Sequence, residues 1–179
     1  DVGAGWDTVV VAAGDTALTI AGSGDLGTIE GFDTVFGFSA ATVSDVSETL
    51  DTVGVAMVVG NTAGNNGVDS TLTIAGSGLQ SHAISSGIIT FDDTDGYVSA
   101  LTIDATAAQL AAAVQYLQAQ DWGNAGATVA FVTSDATYVF TQGTNEGLDG
   151  SDVLVKLVGV YADSLVTVNG TGANNLYIL

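Results

Sequence analysis

Closely spaced aspartates are the residues of this chain with the clearest capacity for chemistry. Asp92, Asp93 and Asp95 lie in one short stretch, and Asp149 and Asp152 flank a Gly-Ser pair. Carboxylate oxygens at such spacings can bind a hard divalent cation such as calcium. The same spacings are typical of turns, because short Asp side chains hydrogen-bond to nearby backbone groups. Both stretches are therefore predicted as turns, with calcium ligation by the same carboxylates as the alternative.

An EF-hand calcium loop is excluded for the first of these stretches. Aligned on Gly96, such a loop would place Phe91 at its first ligand position and Thr102 where a bidentate Glu is needed. The apolar segments Ile88–Phe91 and Tyr97–Ile103 flank the acidic stretch. This arrangement predicts a β-hairpin that carries the aspartates in its turn.

A glycine-rich turn at the start of the sequence offers a second kind of calcium site. Residues 2–10 fit the nonapeptide G-G-x-G-x-D-x-U-x at every specified position except the first. Gly3 and Gly5 would let backbone carbonyls approach an ion, and Asp7 would supply a carboxylate. A single copy also fits an ordinary glycine-rich turn that leads into a strand, so both interpretations stay open.

The charge balance narrows the classes of partner. Twenty acidic residues face one lysine, Lys156, and one histidine, His82, which gives a net charge of −19. Ion pairs within the chain cannot neutralise this charge, so the compact state needs cations from solution to offset self-repulsion. Nucleic acid and anionic membrane surfaces are excluded as partners, because no basic patch can form.

Catalytic chemistry is not predicted. A Ser-His-Asp triad would have to use His82, yet the nucleophile elbow G-x-S-x-G does not occur in the sequence. One His without any Cys cannot make a typical zinc site, and no disulfide is possible. No run approaches the roughly 18 consecutive apolar residues of a membrane helix. We therefore expect neither an enzyme nor insertion into a membrane.

The elements predicted to position these residues are mostly short β-strands. Runs rich in Thr, Val and Ile follow Asp or Gly, as in residues 33–38 and 152–158. Residues 15–24 recur almost unchanged as residues 69–78, which predicts stacked β-units with similar turns. Chance similarity between low-complexity segments is the alternative to a structural repeat.

One helix is predicted, over residues 104–120. Leu110, Val114 and Leu117 lie at i, i+4 and i+7 and form an apolar stripe. Thr106 and Gln109 have the spacing of a capping box. Short strands are predicted to follow the helix over residues 128–133, 137–141, 152–158, 165–168 and 174–179.

The predicted fold class is mainly β, with stacked β-roll or β-sandwich-like strands and one α-helix in the C-terminal part. A boundary is predicted after residue 96. It separates a β-rich Gly/Asp repeat region, residues 1–96, from a helix-plus-strands module, residues 97–179.

These features resemble the C-terminal region of RTX-type bacterial surface proteins that are exported by the type I route. The resemblance rests on the nonapeptide of residues 2–10, on residues 31–38, on the helix at 107–118 and on the apolar stretch 151–160. It implies calcium as the cofactor and an extracellular location at the cell surface. It also implies that the partners are calcium ions, copies of the chain itself and the type I secretion machinery.

The function expected from this resemblance is structural. We expect a self-assembling S-layer or matrix segment that depends on calcium and carries a type I secretion C-terminus. The alternative is the non-catalytic tail of an RTX adhesin, or of a secreted protease or lipase, with the binding or catalytic activity located upstream.

Overall fold

A computed structural model describes the chain at residues 8–10, 18–20, 33–38, 50–52, 58–59, 66–67, 79–94, 96–119, 126–142, 152–167 and 175–179. One helix is found in this part of the chain, α1 at Ala107–Ala119. The strands are β1 Thr8–Val10, β2 Leu18–Ile20, β3 Asp33–Phe36, β4 Leu50–Thr52, β5 Val58–Val59, β6 Asn66–Gly67, β7 Ser81–Ser85, β8 Ile88–Asp92, β9 Ala127–Val132, β10 Ala136–Thr141, β11 Val153–Val158, β12 Leu165–Thr167 and β13 Asn175–Ile178.

The strands form two sheets. The larger has nine strands in the order β1-β3-β11-β10-β9-β8-β7-β6, with β5 paired to β9. The smaller has four strands in the order β12-β13-β4-β2. The predicted mainly β fold with one helix is confirmed for the described residues. All the strands predicted after the helix are present, with ends that shift by at most one residue.

The first four strands alternate between the two sheets. β1 and β3 pair in parallel in the larger sheet, and β2 and β4 pair in parallel in the smaller one. Each sheet therefore gains one parallel strand per turn of the chain, which is the stacked arrangement expected of repeated β-units. The first copy of the repeat, residues 15–24, contains β2, whereas residues 69–78 lie outside the described residues.

Both sheets contain strands from either side of the boundary predicted after residue 96. β3 pairs with β11 in the larger sheet, and β4 pairs with β13 in the smaller sheet. Buried side chains of β7 and β8 also share one apolar cluster with those of α1, β9 and β10. The division into residues 1–96 and 97–179 stays a prediction.

The central strands β9, β10 and β11 of the larger sheet are buried on both faces, since successive side chains of a strand point in opposite directions and almost all of theirs are buried. On one face Phe131 and Tyr138 pack under α1. On the other face Val139 and Val155 pack against Leu176 of the smaller sheet. Three layers result: the helix, the larger sheet and the smaller sheet. Burial on both faces explains why the central strands are almost continuously apolar.

Helix α1 is confirmed together with its apolar stripe. Leu110, Val114 and Leu117 are all buried against the larger sheet. The side-chain oxygen of Gln109 accepts a hydrogen bond from the backbone N–H of Asp104 at 2.6 Å. The capping-box spacing predicted that Gln109 would bind the backbone of Thr106. In the structure Gln109 binds the backbone of Asp104 instead, two residues earlier in the chain, and closes the turn before the helix.

The hairpin predicted around the acidic stretch is wrong. β8 pairs with β7 instead, and Ser86 and Gly87 join the two strands with φ angles of 51° and 80°. Two successive positive φ angles are typical of a tight type I′ turn, whose twist matches that of the strands. Residues 97–103 form a loop, in which Leu101 N–H donates to the Phe91 carbonyl at 2.8 Å.

Candidate functional site

The structure describes three of the predicted calcium ligands. Asp92 and Asp152 are buried, and Asp93 is exposed. The remaining predicted ligands lie outside the described residues: Gly3, Gly5, Asp7, Asp95 and Asp149. Among the described residues, no three His, Cys, Asp or Glu side chains form a group that could hold a metal ion. Calcium ligation stays a prediction.

Asp92, the last residue of β8, anchors the loop that follows it. Its Oδ1 accepts a hydrogen bond from Thr94 N–H at 3.2 Å. Its Oδ2 accepts from Thr94 Oγ1 at 3.0 Å, from Ser99 N–H at 2.8 Å and from Val98 N–H. These bonds, that of Ser99 first, outweigh burial and hold the pKa of Asp92 well below its usual range. Four donors match the roughly four lone-pair positions of a carboxylate, so Asp92 stays charged and organises the loop.

Ser81 and Thr90 fix Tyr97 in the middle of the same loop. The buried Ser81 Oγ donates to the Thr94 carbonyl at 2.6 Å and accepts from Tyr97 N–H at 3.0 Å. The Tyr97 hydroxyl lies 2.5 Å from Thr90 Oγ1. The φ of Tyr97 is +34°, which is strained for a bulky side chain. Strain of this kind persists where the surroundings impose one conformation, and it is concentrated at functional sites.

Asp152 lies directly before β11 and is fully buried. Gln142 Nε2 donates to its Oδ1 at 3.1 Å. Gln142 is itself held by its backbone, since its N–H donates to Ala127 and its carbonyl accepts from Gly126, both at 2.8 Å. Asp152 is thus part of a buried polar group that joins the ends of β9, β10 and β11.

Lys156 lies in β11, on the sheet face that α1 covers, and its side chain is 19% exposed. Its Nζ donates to Asp135 Oδ2 at 2.9 Å and lies 5.5 Å from the centre of the Tyr138 ring. Burial alone would lower the pKa of Lys156, but hydrogen bonds to Asp135 and Tyr138 raise it. The hydrogen bond from Lys156 in turn lowers the pKa of Asp135. Lys156 and Asp135 therefore form a half-buried ion pair.

His82 is a core residue that connects β7 to α1. Its Nδ1 lies 2.9 Å from the hydroxyl of Tyr116, and the two rings meet edge to face with centroids 5.7 Å apart. Tyr116 also meets Phe91 edge to face at 5.4 Å. Burial lowers the pKa of His82, so its imidazole is neutral at pH 7. These contacts give His82 a packing role in the core.

A groove of about 400 Å³ lies on the face of β7 and β8 that points away from α1. Ser85, Ile88 and Thr90 belong to its floor, and Tyr97 and Asp163 stand at its sides. This groove was not predicted from the sequence. The only feature of the sequence that could have pointed to it is a tyrosine directly after an Asp-rich stretch, and no local sequence feature points to Asp163.

No protein family, curated protein or solved structure matches this chain. No helix in the described part of the chain is both long and apolar enough to cross a membrane.

Proposed function

We propose that this chain is a structural segment of a secreted bacterial cell-surface protein that folds and assembles with calcium. It acts as part of an S-layer or extracellular matrix and carries a type I secretion C-terminus. The observation that carries the proposal is the charge: the net charge is −19, and the only lysine is already paired with Asp135. Further neutralisation must come from cations in solution.

Calcium outside the cell is the cation that best supplies this neutralisation. Extracellular modules bind calcium with Kd values on the order of 10⁻⁴–10⁻³ M, so they are loaded outside the cell and empty in the cytoplasm. A ligand that binds the folded state and not the unfolded chain stabilises the folded state. The unneutralised chain would therefore be only weakly stable, which leaves it loose enough for export, and calcium would complete its folding outside the cell.

The predicted ligands fall into three groups. Gly3, Gly5 and Asp7 belong to the nonapeptide, and Asp149 forms a pair with Asp152. In the acidic loop, Asp92 is fully hydrogen-bonded, whereas the side chain of Asp93 is exposed and open to an ion. Asp95 lies outside the described residues and is proposed as a ligand from the sequence alone. No catalytic role is proposed for any of these residues.

The arrangement of the strands supports self-assembly. Among the described residues, β1 and β2 are terminal strands of the two sheets. A terminal strand presents unpaired N–H and C=O groups that can pair with another chain. Acidic surfaces of neighbouring copies would repel each other unless calcium lies between them, so assembly is expected to require the ion.

The experiment for this proposal is assembly of the purified chain, followed by light scattering and electron microscopy. Calcium at millimolar concentration should produce regular sheets or large particles, and chelator should dissolve them. Magnesium at the same concentration is the control for simple charge screening. A chain that stays monomeric in calcium contradicts self-assembly and favours the second candidate.

The second candidate is a non-catalytic segment of an adhesin. The groove beside the strained Tyr97 favours it, because strained residues at a concave surface are typical of binding sites. Attachment to a surface without self-assembly would support this candidate.

A further inference from the structure

We infer that the groove on the outer face of β7 and β8 binds a neutral sugar unit, with Tyr97 and Asp163 as its two walls. We call it the outer groove. Its floor is formed by Ala83, Ser85, Ile88 and Thr90. This inference goes beyond the proposed function and does not depend on self-assembly or on a calcium site.

The outer groove exists because the larger sheet extends past the smaller one. Ile84 and Ile89 point towards α1 and are buried in its cluster, so the floor residues that alternate with them point the other way. Among the described residues, the smaller sheet contacts β7 and β8 near their turn, where Leu165 N–H donates to the Ser86 carbonyl at 2.8 Å and Ile88 packs against the cluster of the smaller sheet. The outer groove lies on the outer face of the two strands beside this contact.

The Tyr97 wall is held in place before any ligand arrives. Its backbone N–H is bound by Ser81 and its hydroxyl by Thr90, at 3.0 and 2.5 Å. The carboxylate of Asp92 binds the backbone of Val98 next to it. These hydrogen bonds hold the backbone of Tyr97 at a positive φ, which is a strained conformation for this residue. A wall fixed in advance loses little conformational entropy on binding, which favours affinity.

The Asp163 wall is equally well fixed, but its side chain is exposed. Asp163 N–H donates to the Leu179 carbonyl at 2.7 Å. The neighbouring Ala162 N–H donates to the buried Thr137 Oγ1 at 3.0 Å. The carboxylate therefore stands on a rigid backbone and remains open to a ligand.

The chemistry of the lining fits a sugar. The lining combines the hydroxyl groups of Ser85, Thr90 and Tyr97 and the residue Asp163 with the apolar Ala83, Ile88 and Ala162. A pyranose ring combines apolar C–H faces with a rim of hydroxyls, so it can match both kinds of surface. The volume of about 400 Å³ falls within the usual range for small-ligand sites. The net charge of −19 disfavours anionic ligands and leaves neutral ones unaffected.

The test is a binding experiment by NMR on the folded chain in millimolar calcium. The probes are methyl glycosides of glucose, galactose and mannose, together with maltose. We expect at least one probe to bind with a Kd of about 1 mM and to shift the amide signals of Ser85, Thr90 and Asp163. Tetramethylammonium chloride serves as the cationic probe.

Matched variants locate the binding. Tyr97→Ala and Asp163→Ala should each weaken binding about tenfold, since each removes a wall or its hydrogen bonds. Tyr161→Ala and Asp104→Ala remove an exposed tyrosine and an exposed aspartate outside the groove and should leave the Kd unchanged. Amide spectra identify any variant that fails to fold, and Asp163→Ala remains informative if Tyr97→Ala disturbs its loop.

Three results would overturn the inference. The first is the absence of shifts with every sugar up to about 100 mM. The second is shifts that map outside the groove or that survive both wall variants. The third is binding of tetramethylammonium in preference to all sugars, which would make the groove a site for cations.

Discussion

Lys156 and Asp135 form an ion pair in which the only lysine of the chain meets one of its twenty acidic residues, Nζ to Oδ2, at 2.9 Å. Asp135 lies in the turn between β9 and β10, so the pair fastens this turn to the neighbouring strand β11. The lysine also lies over the ring of Tyr138, which stacks on Phe131 at 5.0 Å. The only lysine therefore stabilises the contact between the β9–β10 turn and β11, and it does not offset the negative charge of the rest of the chain.

Replacing the lysine tests the contribution of this contact. Lys156→Met should lower the free energy of unfolding by about 1 kcal/mol, because it removes the ion pair and the contact of the cation with the ring. Lys156→Arg keeps the charge and the stacking and should stay close to the wild type. Urea unfolding at fixed calcium measures both. Equal stability of Lys156→Met and the wild type would show that the ion pair contributes nothing.

Mild acid should destabilise the fold through His82. Burial puts the pKa of His82 below its ordinary value of 6.5, so the unfolded chain binds a proton that the folded chain does not. Stability from this residue is complete above pH 6.5 and falls as the pH drops towards the lowered pKa, by at most about 1.4 kcal/mol per pH unit. The measurement is the free energy of unfolding between pH 7 and pH 5.

The matched variant for this prediction is His82→Gln, which can keep a hydrogen bond to the hydroxyl of Tyr116. Lowering the pH also protonates carboxylates and so reduces the repulsion between acidic groups in this chain. The pH dependence of the free energy of unfolding of the wild type therefore combines this effect with that of His82. The difference between wild type and His82→Gln isolates the histidine and should shrink as the pH falls below 6.5. A difference that stays constant from pH 7 to pH 5 would contradict a buried neutral histidine.

Asp92 should be needed for the fold with or without calcium. Asp92→Asn replaces an acceptor of four hydrogen bonds by a group that accepts at one atom only, so Tm should fall by several degrees. Because the folded pKa of Asp92 is lowered, its contribution is present above pH 3.8 and is lost as the pH falls towards the lowered pKa. Thermal unfolding in chelator and in calcium measures the effect.

The exposed neighbour provides the control for Asp92. Asp93→Asn should leave Tm in chelator unchanged, since the structure shows Asp93 on the surface. If the acidic loop binds calcium, Asp93→Asn should reduce the stabilisation that calcium adds. A fall in Tm for Asp93→Asn in chelator as large as that for Asp92→Asn would contradict the distinct roles of the two residues.

Periodicity was sufficient to predict the helix and the strands that follow it. The stripe of Leu110, Val114 and Leu117 depends only on local spacing, and the structure buries all three. The partner of β8 could not be predicted in the same way. The flanking apolar segments predicted a hairpin across the aspartates, but the hairpin forms at the opposite end of β8, where Ser86 and Gly87 make a tight turn from β7. The aspartate at the end of β8, Asp92, accepts hydrogen bonds from the backbone of the loop that follows the strand.

The outer groove depends on contacts far apart in sequence. Thr90 and Tyr97 come together because of the loop that Asp92 organises, and Asp163 joins them from a segment more than sixty residues further along. No spacing rule connects these positions. Residue types and local spacing therefore predict candidate ligands for an ion, whereas the groove forms only once the strands are arranged in sheets.

Calcium dependence of folding tests the central claim most directly. The measurement is a titration of the purified chain with calcium from chelator to millimolar concentration, read by circular dichroism and thermal unfolding, with magnesium as the control. The account predicts a weakly stable chain with a low Tm in chelator and a gain of β-structure and Tm that saturates near millimolar calcium and that magnesium does not reproduce. The same spectrum and Tm in chelator, magnesium and calcium would contradict it.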